Sequence, residues 1–184
     1  MATSAPASAD RMCEADDVAM AAEMSGGGRM QQSEKNLDPF LEWLTSEGPE
    51  AALKYLNNGV PHRYTAIYRF EGELLRNVAL HDKRGQMRPQ FLIAVPFKQS
   101  FCQFVRRDQV FRTEDSASDE RLVGHPYRGV VVSYHSVPVM NEHGALWGTM
   151  SHFDMVRQPL PESEFDRLRD AAMALRGYVS HLAV

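Results

Sequence analysis

The sequence predicts an α+β fold. One curved antiparallel layer is covered on one side by a polar connection and backed on the other by helices from both ends of the chain. Two hairpin patterns and one helical seam carry that reading. Val131 to Val139, β-branched or aromatic at most positions, and Ala145 to Phe153 flank the turn Asn141-Glu142-His143-Gly144, where Gly144 is placed to take the left-handed conformation the connection needs. Tyr64 to Phe70 and Leu74 to Leu80 flank the tight pair Glu71-Gly72. From Glu162 to Val184 the residues Phe165, Leu168, Ala172, Leu175, Val179 and Leu182 recur at steps of three and four, the pattern of one apolar helical stripe.

Taken in order, residues 1–36 are rich in Ala, Ser, Gly and Met, contain Gly26-Gly27-Gly28 and carry no aromatic side chain. Such a segment buries too little to offset its ordering entropy, so a disordered or loosely helical tail is expected before a single domain over 37–184. Asp38-Pro39 caps and starts a helix bearing Phe40, Leu41 and Leu44; Gly48-Pro49 ends it and starts a second, which runs to Asn57-Asn58-Gly59. In the first strand Tyr64, Ala66, Tyr68 and Phe70 point one way and Thr65, Ile67 and Arg69 the other. His81 to Pro89 reads as a loop, Gln90 to Val95 as a short strand, Lys98 to Arg107 as a helix, and Val110 to Thr113 as a strand leading to Asp115. The connection from Asp115 to His125-Pro126 holds a short helical piece over Ser116 to Val123 and forms the cover. Glu162 to Val184 reads as the most regular helix, its seam covered either by the sheet and first helices or by a second copy of the chain.

Composition narrows the partners. A formal charge of -4 and a pI near 6.0 give no global basic field for nucleic acid or an anionic membrane. Cys13 and Cys102 lie far apart, which suits free thiols in a reducing cytoplasm. No window approaches the roughly 18 apolar residues of a membrane span, and charge interrupts any signal-peptide core, so a cytoplasmic location is expected.

Several pieces resemble the GAF family, the phosphodiesterase and phytochrome relative of the PAS fold. They are Tyr68-Arg69-Phe70, Ser100-Phe101-Cys102, Asp115 with Asp119-Glu120-Arg121-Leu122, Val137-Pro138-Val139 with Gly144, and Gly148-Thr149-Met150 before Phe153-Asp154. The resemblance covers about Asp38 to Val184. It implies a six-stranded antiparallel sheet with helices on both faces and a small-ligand pocket beneath the cover. The essential cysteine of the free methionine-(R)-sulfoxide reductases, one enzymatic branch of the family, falls at Tyr127, and their substrate-binding acid falls at Tyr134. Cys102 matches their resolving-type cysteine, but a thiol without its nucleophile cannot run that cycle. The Asn-Lys-Phe-Asp-Glu signature of cyclic-nucleotide binders and the bilin-attaching cysteine are both missing.

A pocket needs a few polar groups among aromatics to orient a ligand, which makes Asp115, Arg121, Tyr127, Arg128 and Tyr134 candidates; Tyr68, Cys102, Ser151 and Phe153 complete the set. Asp115 has a competing role as a helix cap, and Phe101 reads as core. His125, His135 and His152 lack an i, i+4 pair and a cysteine partner, and strand alternation separates them, so no metal is expected. No cofactor is predicted. The expectation is a non-catalytic sensory or regulatory domain that binds a small ligand or a protein partner and signals through its terminal helices as a homodimer, its output acting in trans. The alternatives are a divergent reductase or thiol redox sensor using Cys102, and a structural adaptor whose pocket its own side chains fill.

Overall fold

The computed structural model describes residues 39–86 and 89–182. The expectations for residues 1–36, with Cys13, and for the cap at Asp38 lie outside them. Six strands, β1 (Tyr64–Glu71), β2 (Leu74–Asp82), β3 (Ala94–Pro96), β4 (Phe111–Thr113), β5 (Ser133–Met140) and β6 (Leu146–Asp154), form one sheet in the order β3-β2-β1-β6-β5-β4. Every neighbouring pair is antiparallel.

The central pair β1 and β6 joins the first hairpin to the last, and Gly148 makes that possible. A Cβ built on Gly148 would stand 2.1 Å from the Tyr68 carbonyl oxygen, a backbone atom with no freedom to yield. On β2 a bulge opposite Ile67/Tyr68 accommodates one extra residue. Asn77 holds it by donating from Nδ2 to the Ile67 and Ala79 carbonyls at 3.2 and 3.0 Å. In the β5–β6 turn Gly144 adopts φ 75°, and Asn141 Oδ1 accepts from the backbone of His143 and Ala145.

Helix α1 (39–46), α2 (Pro49–Asn57) and α4 (Glu162–Ala174) cover one face of the sheet. Phe40, Leu53, Leu56, Leu168 and Leu175 pack there with Ile67, Val137 and Met150, all at or below 2% exposure, and each large side chain so buried contributes about 1.5 to 3 kcal/mol. The helical stripe is therefore covered by the chain itself: Phe165, Leu168, Ala172, Leu175 and Val179 all belong to this core.

The regular helix expected to Val184 stops at Ala174 and continues as two 3-10 turns, Leu175–Gly177 and Val179–His181. Gly177 propagates a helix poorly, and Arg176 is drawn to the β5–β6 turn, donating from Nε to Asn141 O at 3.0 Å and from an Nη to Glu142 O at 2.9 Å.

Helix α3 (Cys102–Asp108) and the connections before β4 and β5 cover the opposite face. Three expectations are corrected here. Gln90–Leu92 is a 3-10 turn rather than strand, so β3 begins at Ala94. The helix expected from Lys98 begins at Cys102, because Phe97–Gln99 forms its own turn and Ser100 is extended with its hydroxyl donating to Phe97 O at 2.8 Å. The Ser116 to Val123 segment holds only the 3-10 turn Glu120–Leu122, capped by Asp119, which accepts from Arg121 N at 3.0 Å. Among the described residues no helix is long and apolar enough to cross a membrane.

Candidate functional site

Strand alternation presents Tyr64, Ala66 and Tyr68 of β1, Tyr134 and Ser136 of β5, and Thr149, Ser151 and Phe153 of β6 to the face under the cover. A cavity of about 50 Å³ lies between that face, α3 and the Gln90–Leu92 turn. Its walls are apolar or aromatic, among them Leu75, Leu92, Val95, Phe101, Val131 and Phe153. Phe91 and Tyr127 stack at 6.0 Å across it, and Phe91 is 37% exposed, which marks the mouth.

At the inner end stands a chain of small polar groups. Cys102 Sγ lies 3.1 Å from both the Tyr134 hydroxyl and Thr149 Oγ1; Ser151 Oγ lies 3.0 Å from the Tyr134 hydroxyl and 2.8 Å from Ser136 Oγ; and Ser136 donates to Met150 O at 3.2 Å. Each member carries one proton. The contacts run unbroken from Thr149 through Cys102, Tyr134, Ser151 and Ser136 to the Met150 carbonyl, with Ser136 the donor at that end. Burial pushes the Cys102 thiol up and the Tyr134 phenol well up, so both are neutral at physiological pH.

Tyr68, Cys102, Tyr127, Tyr134 and Phe153 line the cavity, and Ser151 stands behind Tyr134 in the hydroxyl chain. Tyr68 also ties the cover down, its hydroxyl donating to Leu92 O at 2.9 Å. Asp115, Arg121 and Arg128 are not among the lining residues. Asp115 Oδ1 accepts from Ala117 N at 3.1 Å, closing a turn. Arg121 forks onto Asp119 at 2.9 and 2.6 Å, donates to Arg112 O and lies over the Phe111 ring at 4.6 Å. Arg128 Nε donates to Ser116 O at 3.3 Å. Phe101, expected as core, is both buried and lining. Leu75, Phe91, Leu92, Val95, Ser100 and Val131 line the cavity but are not among the pocket candidates of the sequence; Ser136 and Thr149 were open to counting in twos from Tyr134 and Ser151.

The histidines divide differently from the expectation. His125 stays on the cavity side, 4.6 Å from the Phe101 ring. The β5–β6 register instead sets His135 opposite His152, and His62 joins them at ring-centroid distances of 5.0 and 6.0 Å, all three buried on the helix-covered face. Among the described residues no group of three or more His, Cys, Asp or Glu is placed to hold a metal ion.

Neither a family model nor a curated protein matches the sequence. Solved structures do match. The GAF domain of an Acinetobacter phosphoenolpyruvate-protein phosphotransferase superposes with a TM-score of 0.65 at 14% identity, covering 82% of this chain and 94% of that one. The chain has the GAF fold. The type II free methionine-R-sulfoxide reductase of Thermoplasma acidophilum matches at 0.58 and 17% identity over 73% of this chain and 92% of that one. The phycocyanobilin-bound GAF domain of a cyanobacterial phytochrome matches at 0.58 and 16% identity over 82% and 96%. Within the GAF fold of this chain, Tyr127, where the sequence resemblance places the reductases' nucleophile, stands at the cavity mouth, and Tyr134, where it places their acid, is the centre of the hydroxyl chain.

Proposed function

We propose that this GAF domain is a non-catalytic sensory or regulatory module that binds a small ligand beneath its cover and passes the occupied state to a partner in trans through its terminal helices, as a homodimer. The observation that carries the reading is that β5 and β6 serve both sides. Tyr134 lines the cavity, with Ser151 and Ser136 behind it in the hydroxyl chain, while Val137, Val139 and Met150 on the same strands pack on the helix face with Leu168 and Leu175. A molecule that presses Tyr134 shifts strands whose reverse face seats α4, and a close-packed core transmits such shifts as rearrangement of its neighbours. The GAF-domain neighbours, one of them bound to phycocyanobilin, support this reading, and so does a hydroxyl chain without an anionic nucleophile. Native mass spectrometry of the purified protein tests it: a co-purifying molecule lost from Val131→Phe, which fills the cavity, is the expected result. An apo mass for both proteins would favour an adaptor without a ligand.

Cys102 facing the cavity favours a second reading, thiol redox sensing or a divergent reductase. A thiol reacts as its thiolate, and burial raises the Cys102 pKa, so reactivity is suppressed. In a Cys13→Ser background, iodoacetamide at pH 8 is expected to alkylate Cys102 at least ~100-fold more slowly in the native protein than in urea. A native rate equal to the denatured one, or a reductase activity that Cys102→Ser abolishes, would establish the redox reading instead.

A further inference from the structure

We infer that the ligand of this cavity is uncharged and chiefly apolar, a molecule of one small ring or a short alkyl chain bearing at most one hydroxyl or carbonyl. This rests on the ligand-binding reading above. Among the described residues no Asp, Glu, Lys or Arg lines the cavity. Its polar end is already satisfied, since Cys102, Tyr134, Ser151, Ser136 and Thr149 bond one another and the chain ends on a backbone carbonyl. The cover's arginines cannot lend their charge without leaving established partners: Arg121 is held by Asp119 and by Arg112 O, and Arg128 by Ser116 O. His125, packed behind Phe101, is kept neutral by burial.

An ion entering here would lose its hydration and gain no counter-charge from the residues that line the cavity. An apolar molecule loses nothing of the kind and gains aromatic contact. Size follows from the same walls. The cavity of about 50 Å³ is well short of the ~150 Å³ apolar cavity that accommodates benzene, so a ring enters when Phe91, partly exposed at the mouth, turns outward from Tyr127. The bilin and the amino-acid sulfoxide tied by name to the two neighbours above both carry charges, so this chain keeps their fold and selects a different ligand chemistry.

Ligand-observed NMR with phenol, benzoate and benzylammonium, which share one ring and differ in charge, tests the inference on the full chain. Phenol is expected to bind, with benzoate and benzylammonium at least tenfold weaker. Phe91→Ala, at an exposed position, should keep or strengthen phenol binding, and Val131→Phe should abolish it. If either ion binds as tightly as phenol and competes with it, the ligand class is overturned while ligand binding stands. If none of the three binds to the wild-type protein or to Phe91→Ala, the ligand-binding reading fails as well.

Discussion

Leu175→Glu is expected to yield an unfolded or aggregated chain rather than a folded monomer. Leu175 is 0% exposed and sits in the core that joins α4 to the sheet. Truncating a leucine in such a place to alanine costs about 2 to 5 kcal/mol, and glutamate adds the burial of a carboxylate with no partner. Against a total stability of about 5 to 15 kcal/mol, the sum leaves little or no native state. Circular dichroism with sizing chromatography decides the matter: a soluble, folded variant that elutes as a monomer would mean that Leu175 faces a second chain. The informative probe of the proposed dimer lies elsewhere on the same helix. Met173 is 69% exposed, so Met173→Glu should change stability by less than about 0.5 kcal/mol while dissociating any dimer that uses the outer face of α4.

That contrast shows where the sequence speaks and where it does not. A step of three and four identifies an apolar stripe but not its cover, because a sheet and a second helix present equally apolar surfaces. The two hairpins were legible since each combined a period of two with a turn residue whose backbone freedom was needed, Gly72 at φ 60° and Gly144 at φ 75°. Gln90 to Val95 was not: a short apolar run fits a strand or a turn, and the choice here fell to Pro89 and Pro96 at its ends and to Ile93 O accepting from Asn77 N at 2.9 Å. In the site, Cys102 came from resemblance, and Tyr134 from resemblance together with the need for polar groups among aromatics. Asp115, Arg121 and Arg128 came from the argument that a pocket needs polar groups. It does contain them, but they are hydroxyls and a thiol on the sheet floor, while Arg121 of the cover is held by Asp119, and Asp115 and Arg128 by backbone groups. The histidine cluster depends on strand register and on the turn that delivers His62 to β1, neither of which spacing along the chain can show.

That cluster carries the second large expected effect, a loss of stability on mild acidification that begins before any carboxylate titrates. His62, His135 and His152 are at most 1% exposed. Burial, with the His135 imidazole and Lys83 adding to it, lowers His62 from 6.5 to about 3; burial, with Arg112 adding to it, lowers His135 to about 4; and burial first, then His62 and His135, drives His152 well below its usual value. Thr65 accepts from Asn57 Nδ2 at 2.7 Å and so offers its own proton to His152 Nδ1, also at 2.7 Å, a bond that requires the neutral ring. Lys83, Arg112 and Arg167 add only positive potential, and the nearby Asp154 carboxylate is already engaged by Arg63 N and Met155 N.

Because these pKa values are lowered on folding, the unfolded chain binds the extra protons. Stability is therefore complete above the unfolded value of about 6.5 and falls as pH drops toward 4 and 3. At pH 5 the loss is about 2 kcal/mol for His62 and about 2 for His135, with His152 adding in the same direction. Asp82, held near 2 by Arg63, contributes its loss only below its ordinary value near 3.8, in a separate window. Urea unfolding at pH 7, 6 and 5 measures the slope, and His62→Leu should lower proton uptake on unfolding by close to one between pH 6 and 5. An unchanged slope in that variant would mean that His62 is already protonated in the native protein, which a buried ring beside two others could sustain only if an anion shared the site.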